Sequence, residues 1–138
     1  KVSSFKQSLG ELPLGSTITA GSLSGEFTLP DDKNKKLVWI AGGIGVTPFR
    51  SMAKYLIDNN EKRDVVLFSS NKAKNNIVFK EIFEEADRVT GMKTIYVVNN
   101  IEGELSSNMR VGMIDENMIM KEVPDYKDRI YYISFVFK

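Results

Sequence analysis

Residues 37–60 read "LVWIAGGIGVTPFRSMAKYLIDNN", and the class of the fold can be inferred from this stretch. Its first five residues are apolar without interruption, which is typical of a strand buried on both faces of a parallel sheet. Three glycines and a proline follow within the next seven residues. Apolar residues then recur at the i, i+3, i+4, i+7 spacing of an amphipathic helix: Phe49, Met52, Ala53 and Leu56. The stretch therefore predicts a buried strand, a glycine turn and a helix.

The same alternation of strand and helix continues to the end of the chain. Further strands are predicted in "DVVLFSS" (64–70), "KTIYVVNN" (93–100) and "RIYYISFVF" (129–137). Helices are predicted in "NIVFKEIFEEADR" (76–88) and in "IDENMIMKEV" (114–123), the second capped by Asp115. Apolar strands that alternate with helices indicate an α/β fold, a doubly wound parallel sheet covered by helices on both sides.

The amino-terminal segment has a different pattern. "SSFKQSLGEL" (3–12) predicts a short helix capped by Ser3 or Ser4. "PLGSTITAGSLSGEFTL" (13–29) predicts two short strands joined by a glycine turn, and the polar "PDDKNKK" (30–36) predicts a linker. We therefore divide the chain into residues 1–32 and an α/β domain of residues 33–138.

The composition excludes several classes of function. The 138 residues include no cysteine and no histidine, which rules out disulfides, thiolate or histidine metal sites, and Ser-His-Asp hydrolysis within this chain. With 19 basic and 18 acidic residues and no long basic block, no nucleic-acid partner is expected. The longest apolar run, residues 37–46, is about half as long as a membrane span requires, so no span is expected.

The glycine turn has two interpretations. Gly42, Gly43 and Gly45 lack side chains that would hold a diphosphate away from the backbone, Thr47 can cap the following helix, and Pro48 suits its first position. The free N–H groups and the positive end of the helix would then face phosphates. Glycine turns after buried strands also occur for steric reasons alone, and the third glycine of the usual dinucleotide fingerprint is missing. The turn by itself leaves both interpretations open.

The end of the second predicted strand bears on the choice of dinucleotide. It reads Ser69-Ser70-Asn71-Lys72, where an NAD-dependent dehydrogenase commonly has an acidic residue for the ribose hydroxyls. Serine, asparagine and lysine would tolerate or favour a 2′-phosphate, which favours NADP. Lys72 is equally compatible with a solvated loop charge.

These motifs together resemble a known family. "LVWIAGGIGVTPFRSM", "VVLFSSNKAKNNIVFKEIFEE" and "GMIDENMIMKEVPDYKDRIYYIS" are similar to the NAD(P) module of ferredoxin–NADP reductase-like flavoenzymes. "SSFKQSLGELPLGSTITAGSLSGEFTLP" resembles the closing segment of the family's flavin-binding barrel. The resemblance covers residues 2–134. It implies that a fragment of an antiparallel β-barrel, residues 1–32, precedes the NAD(P)-binding α/β domain.

The resemblance also implies a function and a set of site residues. It implies an oxidoreductase module that binds NAD(P)H and passes hydride to FAD, for electron transfer to ferredoxin, flavodoxin, a haem protein or a small acceptor. The residues implied to contact the dinucleotide are Gly42, Gly43, Ile44, Gly45, Val46, Thr47 and Pro48 at the diphosphate, Ser70, Asn71 and Lys72 at the adenosine ribose, and Ser134 beside the nicotinamide. Ser3 and Lys6 match positions near the flavin diphosphate.

The chain also departs from the family pattern. The flavin-binding Arg-x-Tyr-Ser/Thr strand does not occur in it, and Phe135 follows "YYIS" where the family continues with a Gly-Pro-rich turn. We expect both ends to continue in a longer, cytoplasmic polypeptide. The alternative is a nucleotide-binding module or subunit without turnover, which relies on a separate flavin-binding chain.

Overall fold

The computed structural model describes residues 3–22, 24–100 and 104–135, which contain five strands and four α-helices. The strands are β1 (Leu37–Gly42), β2 (Val65–Asn71), β3 (Lys93–Val98), β4 (Met109–Val111) and β5 (Ile130–Phe135). The α-helices are α1 (Ser4–Glu11), α2 (Thr47–Asp58), α3 (Lys80–Thr90) and α4 (Glu116–Glu122). Short 3₁₀ turns occupy Gly43–Val46, Lys74–Asn76 and Tyr126–Asp128. The predicted α/β class is confirmed.

All five strands are parallel and lie in the order β4-β3-β2-β1-β5. The chain moves outward from β1 through β2 and β3 to β4, and then returns to the other side of β1 as β5. The order of strands therefore reverses between β1 and β5, the position where ligands bind in open α/β sheets. In register, Gly42 at the end of β1 lies between Ser70 of β2 and Phe135 of β5.

Strand β4 is absent from the sequence-based prediction. It has only three residues, Met109–Val111, paired with residues 96–98 of β3. A segment this short shows no recognisable alternation of apolar and polar residues. Pairing with β3 and burial of Met109 form this strand, and neither is visible in the local sequence.

Helices cover both faces of the sheet, as predicted. Helices α2 and α3 bury one face, and the predicted apolar stripe of α2 is fully or almost fully buried there. Trp39 of β1 stacks on Phe49 of α2, with ring centroids 5.3 Å apart. Helix α4 packs on the opposite face, and the Asp115 side chain accepts a hydrogen bond from the Met118 N–H at 2.8 Å, so the predicted cap is confirmed. None of the helices in the described ranges has both the length and the apolar character that a membrane crossing requires.

The amino-terminal segment differs from its prediction. Helix α1 forms, and the Ser3 hydroxyl accepts from the Lys6 N–H at 3.4 Å. The two predicted strands do not form in the described part of residues 13–29, where Ile18 is 61% exposed. Leu23 lies outside the described residues. Two short strands gain too little without an apolar layer to cover them, and the described part of the chain places no such layer over Ile18.

The end of this segment is nevertheless attached to the α/β domain. The Phe27 ring lies 5.7 Å from the ring of Phe49 and 5.3 Å from that of Tyr132. The Tyr132 hydroxyl donates to the Thr28 carbonyl at 2.8 Å, and Leu29 packs against the core. Residues 27–29 therefore join the core beside β5, although they form no strand.

Candidate functional site

A cleft of about 640 Å³ opens at the carboxyl ends of the central strands. The lining residues come from the glycine turn, from the end of β2 and the loop after it, and from the ends of β3 and β5: Gly42, Gly43, Ile44, Ser70, Asn71, Lys72, Asn76, Val78, Asn99 and Phe135. This volume lies in the range of small-molecule binding sites. The fold thus brings the two predicted dinucleotide motifs, the glycine turn and the end of β2, into one cleft.

Gly43 is the open position of the glycine turn. Its φ of +54° lies in the left-handed region that glycine adopts without strain, and a Cβ built there would meet no atom within 4 Å. The turn continues directly into α2, so the first N–H groups of the turn have no carbonyl partner earlier in the helix. Exposed backbone donors and open space at the positive end of a helix suit a diphosphate.

Gly45 and Val46 are buried, in contrast to Gly43. A Cβ on Gly45 would lie 2.3 Å from the carbonyl oxygen of Ser134, so this glycine allows the turn to pack against β5. Val46 is fully buried in the core under α2. The structure thus adds a reason for glycine at position 45 that the sequence did not show, and its role at the diphosphate stays a prediction. The contact that requires glycine is with the backbone of β5.

Thr47 does not cap α2 through its side chain. Its hydroxyl donates to the Ile44 carbonyl at 2.7 Å, whereas a helix cap would accept from an N–H. The continuous 3₁₀ turn explains this difference, because it places Thr47 already inside the helical backbone. Pro48 lies in the first turn of α2, as predicted.

The end of β2 contributes polar side chains to the cleft. Ser70 is half-buried and Lys72 is exposed. Asn71 is buried, and its amide nitrogen lies 3.1 Å from both the carbonyl and the hydroxyl oxygen of Ser69. These hydrogen bonds hold the Asn71 side chain at the strand end. Ser70 and Lys72 are therefore the side chains better placed to bind a ribose or its phosphate.

The remaining predicted site residues lie elsewhere. Ser134 pairs with Ala41 across β1 and β5 and lines a separate groove of about 530 Å³ that also contacts Pro48. Lys6 on α1 and Ser3, which caps this helix, are exposed and do not line the cleft. The binding roles assigned to all these residues stay predictions.

Several cleft residues were not predicted from the sequence. Asn99 follows β3 and could have been predicted from the sequence. The polar pair Asn99-Asn100 ends a buried strand at the same edge of the sheet as Ser70. Asn76 and Val78 lie in the loop before α3, where the local sequence carries no ligand signal. Phe135 is indistinguishable from core in an apolar run, and only the sheet register places it at the cleft.

The charge of the cleft suits an anion. Among the lining residues within 3–22, 24–100 and 104–135, Lys72 is the one charged side chain and none is a carboxylate. Within the described part of the chain, Lys72 forms no salt bridge. Its charge is thus available to a phosphate group.

Comparison with known proteins extends these observations. Residues 39–134 match the family model described as "Oxidoreductase NAD-binding domain". The chain is 27% identical over 120 residues to a flavohemoprotein of Oceanobacillus iheyensis, covering 87% of this chain and 29% of that protein. It is 28% identical over 121 residues to the glycine betaine monooxygenase reductase subunit of Chromohalobacter salexigens, covering 86% and 33%. The chain thus spans about a third of the length of the curated relatives it matches.

A solved structure shows the same fold. The cytochrome b5 reductase domain of Ulva prolifera nitrate reductase superposes with a TM-score of 0.72 at 21% identity. The match covers 97% of this chain and 56% of that one, so it includes the amino-terminal segment as well as the sheet.

Proposed function

Because the chain belongs to the family of oxidoreductase NAD-binding domains, we propose that NAD(P)H binds in the cleft at the ends of β1, β2 and β5. The diphosphate lies over the glycine turn, against Gly42, Gly43 and Ile44. The observation that carries this proposal is the open, left-handed Gly43 at the reversal of strand order, in a cleft that Lys72 also lines.

The arrangement of strands gives the dinucleotide a direction. Strand β1 lies between β2 and β5, so a ligand centred on Gly43 extends toward β2 on one side and β5 on the other. We place the adenosine ribose at Ser70 and Lys72, which are polar, and the nicotinamide on the side of Ser134. Backbone donors at Gly43 and Ile44, which line the cleft, would hold the diphosphate between them.

For the intact protein we propose an NAD(P)H-dependent flavoenzyme that supplies electrons to ferredoxin, flavodoxin, a haem protein or a small acceptor. The names of the two curated relatives, a flavohemoprotein and a reductase subunit, support this proposal. We also propose that the intact enzyme works in the cytoplasm. Within that intact enzyme, the role that we propose for these 138 residues is to bind and orient the dinucleotide.

The described residues do not form a flavin site. Ser3 and Lys6, the two residues assigned to the flavin diphosphate, are both exposed: Ser3 caps α1 and Lys6 lies on it, and this helix has no buried residue. We therefore derive no flavin step from this chain. The second candidate remains a nucleotide-binding module or subunit that works with a separate flavin-binding chain. Residues 1–32 and 33–138 remain our proposed division of the chain.

Paired substitutions at Gly43 test the dinucleotide site. Asparagine and aspartate both tolerate the left-handed region, and they differ by one charge. We expect Gly43→Asp to weaken NADPH or NADH binding about tenfold relative to Gly43→Asn, because its carboxylate would repel the diphosphate, a difference of about 1.4 kcal/mol. Isothermal titration at low ionic strength measures both affinities.

The two variants share shape and backbone preference, so Gly43→Asn controls for any strain at this position. Equal affinities of the two folded variants would show that the diphosphate lies elsewhere. An unmodified chain that is saturated by neither dinucleotide would leave the glycine turn as a purely structural feature.

Replacing Lys72 by alanine tests the choice between the two dinucleotides. If Lys72 meets a 2′-phosphate, Lys72→Ala should weaken NADPH binding about fivefold more than NADH binding, because NADH lacks that phosphate. Titration of both dinucleotides at two salt concentrations measures this difference, and the effect should shrink as salt rises. Lys74→Ala is the matched control, since Lys74 lies in the same loop outside the lining of the cleft. Equal losses for both dinucleotides would remove the 2′-phosphate role.

A further inference from the structure

Phe135 lies at the position where the order of strands reverses. It is the last described residue of β5 and pairs in register with Gly42, the last residue of β1. Its ring lines the proposed dinucleotide cleft from the β5 side. On the β2 side the corresponding neighbour of Gly42 is Ser70. The two ends of the cleft therefore differ in chemistry: one is polar and the other presents an aromatic ring.

The absence of a side chain at Gly42 determines where this ring lies. A Cβ built on Gly42 would be 2.1 Å from Cδ1 and 2.7 Å from Cε1 of Phe135, so the ring packs directly against the glycine. The Phe135 side chain nevertheless remains 44% exposed. The Cδ1–Cε1 edge of the ring thus lies against Gly42, and much of the rest of the ring is exposed.

We infer that Phe135 is the platform on which the nicotinamide ring of the bound dinucleotide stacks. The inference rests on the proposed NAD(P)H site and names a contact residue for its nicotinamide half. A planar ring that is held at one edge and is largely exposed elsewhere suits a planar aromatic ligand group. The diphosphate at Gly43 would lie beside this ring, and Lys72 and Ser70 attract the phosphorylated or hydroxylated ribose to the opposite end.

The nicotinamide half of the dinucleotide can be tested separately from the adenosine half. 2′-Phospho-ADP-ribose contains every part of NADP⁺ except the nicotinamide, and ADP-ribose does the same for NAD⁺. Calorimetric titration of the chain with each dinucleotide and its matching fragment therefore isolates the nicotinamide contact. Phe135→Leu keeps an apolar side chain and removes the ring, while Phe135→Tyr keeps the ring.

We expect Phe135→Leu to weaken dinucleotide binding about fivefold or more, in the range of stacking on aromatic side chains, and to change fragment binding less than about twofold. Phe135→Tyr should bind both ligands as the unmodified chain does. Ile133→Ala is the matched control: Ile133 is 57% exposed two residues earlier on the same face of β5, but does not line the cleft. It should leave both affinities unchanged.

Three outcomes would overturn the inference. Unchanged dinucleotide affinity in Phe135→Leu would show that the ring makes no contact. Equal losses for dinucleotide and fragment would show that Phe135 supports the shape of the cleft instead. If dinucleotide and fragment bind the unmodified chain but with equal affinity, the nicotinamide lies free of the protein. In all three cases the proposed dinucleotide site would survive, whereas failure of both ligands to bind the unmodified chain would remove that site as well.

Discussion

Gly45→Val should destabilise the folded chain by about 3 kcal/mol or more, the largest effect that we expect from a single substitution. A Cβ at this position would lie 2.3 Å from the carbonyl oxygen and 2.8 Å from the carbonyl carbon of Ser134. These are backbone atoms of β5, which cannot move away without disturbing its pairing with β1. Urea unfolding followed by far-UV circular dichroism measures the loss.

Gly43→Asn is the control for this substitution. Gly43 lies two residues earlier in the same turn, a Cβ added to it would meet no atom within 4 Å, and asparagine tolerates its positive φ. We expect a change of less than about 1 kcal/mol there. A Gly45→Val protein of unchanged stability that has lost dinucleotide binding would instead support the sequence-based interpretation, in which Gly45 makes room for the diphosphate.

Arg129→Ala should lower the free energy of unfolding by about 2 kcal/mol, because it leaves two carboxylates without their shared partner. The Arg129 side chain is only 7% exposed. Its guanidinium donates to both oxygens of Asp64, at 2.7 and 3.1 Å, and to both oxygens of Asp125, at 2.9 and 3.2 Å. These bonds join the amino ends of β2 and β5, far along the strands from the cleft. Urea unfolding at neutral pH measures the effect.

This contribution should depend on pH in a defined direction. Hydrogen bonds from Arg129 and then from Lys36 hold the pKa of Asp125 well below its ordinary value in the folded protein. The unfolded chain therefore takes up this proton first, and the contribution is complete at neutral pH and declines as the pH falls below about 4. The difference in stability between the unmodified chain and Arg129→Ala should shrink over that range.

Arg129→Lys is the control for geometry. Lysine keeps the charge, but a single ammonium group cannot reproduce two bidentate contacts, so we expect an intermediate loss of stability. A loss in Arg129→Ala that is the same at pH 7 and pH 3 would contradict the role of the carboxylates. Dinucleotide affinity should change little in either variant, since these residues do not line the cleft.

The buried helices and strands were predictable because their signals are local. The spacing of Phe49, Met52, Ala53 and Leu56 identifies the inner face of α2, and all four side chains are buried. The Asp115 cap could likewise be predicted, since a cap depends on residues three positions apart. Both features follow from the geometry of a helix, which the sequence alone displays.

Features that depend on distant residues could not be predicted in this way. Residues 13–29 have the glycines and alternation of a hairpin, but a hairpin also needs a covering layer, and none of the described residues covers Ile18, which is mostly exposed. Strand β4 shows the opposite case. Its three residues have no recognisable alternation of apolar and polar side chains, and they form a strand because they pair with the edge of β3. In both cases the neighbours of the segment decide its structure.

The candidate site combines both kinds of information. A glycine turn and a polar strand end could be recognised from the sequence, because each is a short contiguous motif. The role of each glycine became visible only in the folded chain: Gly42 accommodates the ring of Phe135, Gly43 faces open space, and Gly45 packs on β5. The reason is physical. A glycine shows that a side chain is missing, and only the parallel pairing of β1 with β5 shows which atoms, from a strand much later in the chain, occupy that space.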